Sequence, residues 1–192
     1  MTPLRDQICK VLKMNTLSED DKVQRRVRWV NAALLAVESG PGDLIEIGAL
    51  AGDTTVLLCE LAARYNRKML VVDPWIAPAI DVAGWEHDVF MNKTKPWRES
   101  GTLNIIEKVS QNPKVISTLV RQDWAFALVD GSHKYKNVLC DIMSVRNARV
   151  ICCDDMNNSD VRTAFDVALA LLPEREGLYD PDLGRKWEGY LV

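Results

Sequence analysis

Three places in the chain gather residues that could do chemistry, and each follows a short apolar run. The first is Glu46-Ile-Gly48-Ala49-Leu-Ala-Gly52-Asp53-Thr54-Thr55. Gly48 would let the backbone turn tightly, and Gly52 would let it approach a ligand with no Cβ in the way. A helix beginning at Thr54 would offer free N–H groups and a positive dipole end. The second place is Asp73, about 20 residues after Gly52, where an acid typically accepts hydrogen bonds from ribose hydroxyls. The third is acidic: Asp130-Gly-Ser-His133, and later Asp154-Asp155. A glycine turn, a helix start and a ribose acid in that order describe a nucleoside-type cofactor. A dinucleotide fingerprint would need glycine at position 50, which is Leu here, and this argues against pyrophosphate binding.

Such clusters act together only if a scaffold brings the ends of several strands to one edge. Apolar runs at 43–47, 69–72, 102–109, 124–129 and 149–153 read as strands. Segments 54–65, 114–121, 135–147 and 159–172 read as helices, the second capped by Asn112-Pro113. Val56, Leu57, Leu61 and Ala62 are expected on the inner side of the first of these. Ser18 and the acids after it start an earlier helix with an apolar stripe of Val23, Val27, Val30, Leu34 and Val37. The tail 177–192 has room for one or two strands. Strand and helix in alternation predict an α/β fold with a parallel sheet, whose ligands sit at the carboxyl ends of the strands. Residues 74–101 break the pattern, with three Pro, three Trp and no sustained period. This stretch is expected to be a mobile lid that closes over an acceptor with Lys93, Lys95 and Arg98. The chain reads as one domain over 1–192, with an N-terminal helical segment over 1–40.

Composition excludes several classes. With 47% hydrophobic and 27% charged residues, the chain can bury a core, which a disordered tail cannot. No apolar run approaches the ~20 residues that cross a bilayer, so no membrane partner is expected. A formal charge of −3 argues against nucleic acid as a partner, although Arg25, Arg26 and Arg28 form a local basic patch. The five cysteines are odd in number and lack zinc-site spacing, and no apolar signal segment opens the chain. Reduced thiols in a cytoplasmic protein are the expectation, with Cys152 and Cys153 acting as small hydrophobes of a buried strand. A homo-oligomer stays open.

The pattern Glu46-x-Gly48-x-x-x-Gly52-x-Thr54-Thr55 resembles motif I of S-adenosylmethionine-dependent methyltransferases with the Rossmann-like fold. Leu128-Val-Asp130-Gly-Ser-His133-Lys-Tyr135, then Asp141, then Val150-Ile-Cys-Cys-Asp154-Asp155-Met look like one branch of them. That branch holds the macrocin O-methyltransferase (TylF-like) enzymes and related small methyltransferases with an Asp-Gly-x-His-x-Tyr segment. The likeness runs from about residue 42 to 170.

The resemblance implies a three-layer fold on a mostly parallel seven-stranded sheet of order 3-2-1-4-5-7-6, the last inserted strand antiparallel. It implies S-adenosylmethionine held by Glu46, Gly48, Ala49, Gly52, Thr54 and Thr55. Asp73, Trp75, Ser110 and Asp130 would complete that site. It implies Mg²⁺ on Asp130, Asp154 and Asp155, and the physics agrees, because carboxylates at neighbouring strand ends repel unless a cation neutralises them. The other reading of Asp154 or Asp155 is a cap for the helix near Ser159. The implied reaction is methyl transfer to the hydroxyl of a small-molecule acceptor, with His133 and Asp130 catalytic. Relatives that use an acid as base often place Asp where this chain has Ser132, so the base stays open. His87 could line the acceptor pocket or be an ordinary loop residue. Nothing resembles the Asn/Asp-Pro-Pro-Tyr/Phe segment of amino-group methyltransferases; Asp154-Asp155-Met-Asn stands in its place, which favours oxygen. The rival readings are an NAD-dependent oxidoreductase and a non-catalytic adenosylmethionine-binding module.

Overall fold

The computed structural model describes residues 3–12, 20–75, 85–179 and 188–192. Seven strands form one sheet: β1 (Asp43–Ile47), β2 (Met69–Val72), β3 (Leu103–Ile106), β4 (Trp124–Val129), β5 (Val150–Cys153), β6 (Gly177–Tyr179) and β7 (Gly189–Leu191). Their order is β3-β2-β1-β4-β5-β7-β6, as the resemblance implied. Strands β1 to β5 run parallel, and β7 is antiparallel to both β5 and β6.

Parallel strands covered on both faces must be apolar throughout, which is why β4 and β5 are buried along their whole length. Successive side chains alternate between the faces. Leu44, Phe126, Leu128 and Cys152 turn toward α1 (Leu4–Leu12), α2 (Asp21–Glu38) and α3 (Asp53–Arg64). Ile45, Ile47, Val129 and Cys153 turn toward α5 (Pro113–Leu119), α6 (Tyr135–Ser144) and α7 (Ser159–Leu171). Adjacent Cys152 and Cys153 therefore enter opposite cores as free, buried thiols, in keeping with their reading as small hydrophobes.

Several expectations change. Ser18 lies outside the described residues, and the side chain that caps α2 is Asp20, which accepts from the Lys22 N–H at 2.8 Å. The buried face of α2 is Trp29, Ala32, Ala33, Ala36 and Val37, whereas Val23 is exposed. Of the expected stripe, Val37 is buried and Val30 and Leu34 pack partly buried against the core, while the deepest positions beside them are small alanines and Trp29. On α3, Leu57 is exposed and Leu58, Cys59, Leu61 and Ala62 are buried. The segment 74–101 is not an irregular loop throughout: α4 (Trp85–Glu99) occupies most of it, although Pro96 removes one ladder donor. Phe90 and Thr94 of α4 are buried, and Phe90 joins the core on the α3 side. Residues 76–84, the rest of the expected lid, lie outside the described residues.

Candidate functional site

The strand ends open into a cavity of about 720 Å³, lined from both halves of the sheet. Its walls are the loop after β1, the ends of β2 and β4, residues 109–111 after β3, Asp154 and Asp155 after β5, and the first half of α2.

One end of the cavity is built from the loop after β1. Gly48 has φ +88, and a Cβ there would lie 2.3 Å from the Asp130 carbonyl oxygen, so only glycine fits against the end of β4. Leu50 has φ +49, the left-handed conformation that favours glycine, at the position where a dinucleotide loop would carry one. Asp73 stabilises this turn. Its Oδ2 accepts from the N–H groups of Ala49 (2.7 Å) and Leu50 (3.1 Å), and its Oδ1 from Trp75 N–H (2.7 Å). A carboxylate has about four lone-pair sites, so an acceptor position remains for a further donor.

Glu46, on the inner face of β1, is buried and accepts from the Thr55 hydroxyl at 2.5 Å. Burial pushes it up to about 8; the Thr55 hydrogen bond opposes the rise and nearby Asp73 adds to it. After β3, buried Ser110 receives a hydrogen bond from Gln111 Nε2 (2.7 Å), which also donates to Asp141 Oδ1 (2.8 Å). Burial pushes Asp141 up to about 7.

The other end is acidic. Burial, followed by the charges of Asp154, Glu46 and Asp155, holds Asp130 well above the usual carboxylate range. Asp154 is also raised by burial, against the opposing pull of Arg25. Arg25 of α2 donates from Nη1 to Asp154 Oδ2, and the same nitrogen stands 3.9 Å from Asp155. Asp154 Oδ1 is buried with no hydrogen-bond partner among the described residues. His133 Nε2 lies 3.2 Å from Asp155 Oδ2, and Asp155 itself has φ +55. One ligand atom each from Asp130, His133 and Asp155 lies within 4.8 Å of the others. Neither Asp154 nor Asp155 caps α7 with its side chain; Asn158 does, accepting from Asp160 N–H at 2.9 Å.

The cavity thus brings together Glu46, Gly48, Ala49, Thr54, Asp73, Ser110, Asp130, His133, Asp154 and Asp155. Three expected residues stand outside its wall. A Cβ on Gly52 would meet the Phe90 ring at 2.8 Å, so its bare side faces α4. Thr55 holds Glu46 from behind. The Trp75 indole N–H donates to the Leu50 carbonyl at 2.8 Å, and its ring packs on Phe90 and His87. His87 sits 3.6 Å from Glu107, also off the cavity wall. The expected lid cations turn elsewhere as well: Lys93 pairs with Asp53, Lys95 stands 3.7 Å from Glu99, and Arg98 donates to the Met91 carbonyl.

The cations that do line the cavity include Lys22, Arg25 and Arg26 of α2, beside Trp29. Their spacing of i, i+3, i+4 and i+7 places them on one helix face, a signal the sequence carried but the valine stripe obscured.

No known family profile matches this chain, and no curated protein matches it. Solved structures do match. CalS11, a TDP-rhamnose 3'-O-methyltransferase of calicheamicin biosynthesis, superposes with TM-score 0.60 at 14% identity, covering 98% of this chain and 92% of its own. The O-methyltransferase NovP gives 0.60 at 15% identity over 97% and 96%. The S-adenosylhomocysteine-bound methyltransferase PaMTH1 of Podospora anserina gives 0.58 at 13% identity over 100% and 88%. The chain therefore has the Rossmann-like methyltransferase fold.

Proposed function

We propose that the chain is an S-adenosylmethionine-dependent methyltransferase that methylates a hydroxyl of a small-molecule acceptor. One observation carries this reading: the glycine turn buttressed by Asp73 and the group Asp130, His133 and Asp155 open into one cavity. The fold shared with CalS11 and NovP supports it, since both act on oxygen by name.

Methyl transfer requires little covalent chemistry of the protein, which must hold donor and acceptor in line and help the hydroxyl lose its proton. The turn at Gly48–Leu50 would seat the cofactor, with the remaining acceptor position of Asp73 toward the ribose hydroxyls. Glu46 and Asp130 would place negative charge near the sulfonium, whose positive charge favours their ionised forms. Asp155 orients the His133 imidazole, which stands at the acceptor end as the base for the hydroxyl proton.

The donor set also fits a divalent ion. Carboxylates and an imidazole converge there, and a buried Asp154 oxygen lacks a hydrogen-bond partner. Asp130 and Asp155 would hold the ion, leaving His133 as the base, and when bound it would lower the pKa of a hydroxyl. An acceptor anion would meet Lys22 and Arg26 at the same mouth.

The test is S-adenosylhomocysteine formation, followed by mass spectrometry, with panels of phenols, sugars and amines. The reading expects turnover with a hydroxyl panel that is lost in Asp130→Asn. Cofactor binding without turnover in any panel would instead identify a non-catalytic binding module.

A further inference from the structure

We propose that Asp141, which stands outside the cavity wall, is a positioning residue for cofactor selection. It fixes the Gln111 side-chain amide so that the site takes a nucleoside with an amino-substituted purine (adenine) and rejects its carbonyl counterpart (hypoxanthine). The inference rests on the proposed methyltransferase reading, which puts a nucleoside in the cavity, and adds the group that decides which base that nucleoside carries.

Sheet adjacency directs the base. The Asp73 N–H donates to the Ile106 carbonyl at 3.2 Å, so the ribose seat lies beside the end of β3. Asp130, Asp154 and Asp155 follow β4 and β5, on the other side of β1. A nucleoside whose ribose meets Asp73 and whose methyl-bearing end faces Asp130 must turn its base toward residues 109–111. Val109 and Leu50 line the cavity with exposed apolar side chains, a surface suited to the faces of a ring. Gln111 lines it too and offers the polar group for a ring edge.

Gln111 presents one defined end. Its Nε2 donates to Ser110 Oγ at 2.7 Å and to Asp141 Oδ1 at 2.8 Å, which uses both amide hydrogens. Its Oε1 accepts no hydrogen bond among the described residues. A glutamine amide without such a tether can turn over and offer a ligand either a donor or an acceptor. Asp141 removes that choice, because an ionised carboxylate only accepts: the nitrogen must face it, and the oxygen is left for the ligand. An amino group on the base donates to that oxygen, whereas a carbonyl in its place meets it lone pair to lone pair.

The burial of Asp141 is the second reason. The residue is 1% exposed, no cation offsets its charge, and its Oδ2 is buried with no hydrogen-bond partner among the described residues. A carboxylate so placed costs stability that an apolar side chain on the same face of α6 would not. What it holds in return is the cavity wall at Ser110 and Gln111. Burial raises Asp141 to about 7, against the pull of those two side chains, so above that pH it is an acceptor alone. Its titratable neighbours are Cys140 on its own helix and Cys153 of β5, and burial pushes both thiols up, which keeps them neutral.

The experiment is isothermal titration of S-adenosylhomocysteine and of S-inosylhomocysteine, its hypoxanthine analogue, at about pH 8. Both are titrated into the full chain and into Asp141→Leu, Asp141→Ala, Asp141→Asn and Gln111→Leu. Expected in the wild type is a preference for S-adenosylhomocysteine of about tenfold or more. Asp141→Leu and Asp141→Ala remove the acceptor and should bring the two affinities to within about threefold, and so should Gln111→Leu. Asp141→Asn keeps an oxygen for the Gln111 amide and should retain most of the preference. Two results each overturn the inference: a wild type that binds both ligands equally, or folded Asp141→Leu and Asp141→Ala variants that lower both affinities by one factor, as a purely structural role would. Either leaves the methyltransferase reading standing. A wild type that binds neither ligand overturns that reading and the inference with it.

Discussion

The two ends of the cavity deal with negative charge in opposite ways. At the cofactor end, Asp73 is met by three backbone N–H groups and buried Glu46 by a threonine hydroxyl. At the acceptor end, Asp130, Asp154 and Asp155 crowd together, and Arg25 and His133 are the positive or protonatable groups paired with them. Fixed backbone dipoles make the first end a preorganised seat, ready before any ligand arrives. The second end is electrostatically unfinished: burial and mutual repulsion raise Asp130 and Asp154, and a positive ligand would relieve both. Substitutions at the first end should therefore act on cofactor binding, and those at the second on turnover and stability.

The largest expected effect is on rate. His133→Ala should lower the turnover number by about 10²–10⁴, the usual scale for losing a proton-handling group, while Asp73→Ala should raise the cofactor KM. Steady-state kinetics that found the reverse split would erase the distinction between the ends.

Next comes stability. Arg25→Met leaves Asp154 buried without its partner and should cost about 3 kcal/mol in urea unfolding. Adding Asp154→Leu should restore most of that loss, because both charges are then gone. A single Arg25 variant as stable as wild type would mean that the pair is dispensable.

Asp141, behind the Ser110–Gln111 wall, supplies a pH test. Burial raises its folded value to about 7 from an ordinary 3.8. Between those two values the unfolded chain binds fewer protons than the folded one. This group therefore makes stability fall as pH rises through that window, levelling off above about pH 7. Asp141→Asn should flatten the slope and gain at most about 2–4 kcal/mol at pH 8, read from denaturant midpoints at several pH values.

The smallest effect separates scaffold from ligand contact. Gly52 has φ +80 and faces Phe90, so Gly52→Ala should cost about 1–2 kcal/mol of stability with cofactor affinity unchanged. Lost affinity at unchanged stability would return Gly52 to the ligand wall.

Much of the scaffold was legible because physics wrote it locally. Runs such as Leu44–Ile45 and Phe126–Val129 must be apolar on both faces, and Asn112-Pro113 marks a helix start wherever it occurs. The strand order was legible only through the Asp-Gly-Ser-His resemblance, since pairing partners lie far apart in sequence. Helix α4 was missed because Pro96 and its mixed charges hide a weak period, although Phe90, Met91 and Trp97 pack on the core. The face of α2 was legible at Val30, Leu34 and Val37 but not at Trp29, Ala32, Ala33 and Ala36, because small alanines carry little hydrophobic signal in a periodicity scan. The Arg25–Asp154 pair was beyond local reading altogether, because only the folded sheet brings those residues together.

We infer that the preorganised end seats S-adenosylmethionine. Isothermal titration of that cofactor, and separately of NAD, into wild-type protein and Asp73→Ala decides it. Expected are one S-adenosylmethionine site in wild type, an affinity at least about tenfold weaker in a folded Asp73→Ala, and no heat with NAD. NAD binding without S-adenosylmethionine binding, or an Asp73→Ala variant that binds the cofactor as tightly as wild type, would contradict it.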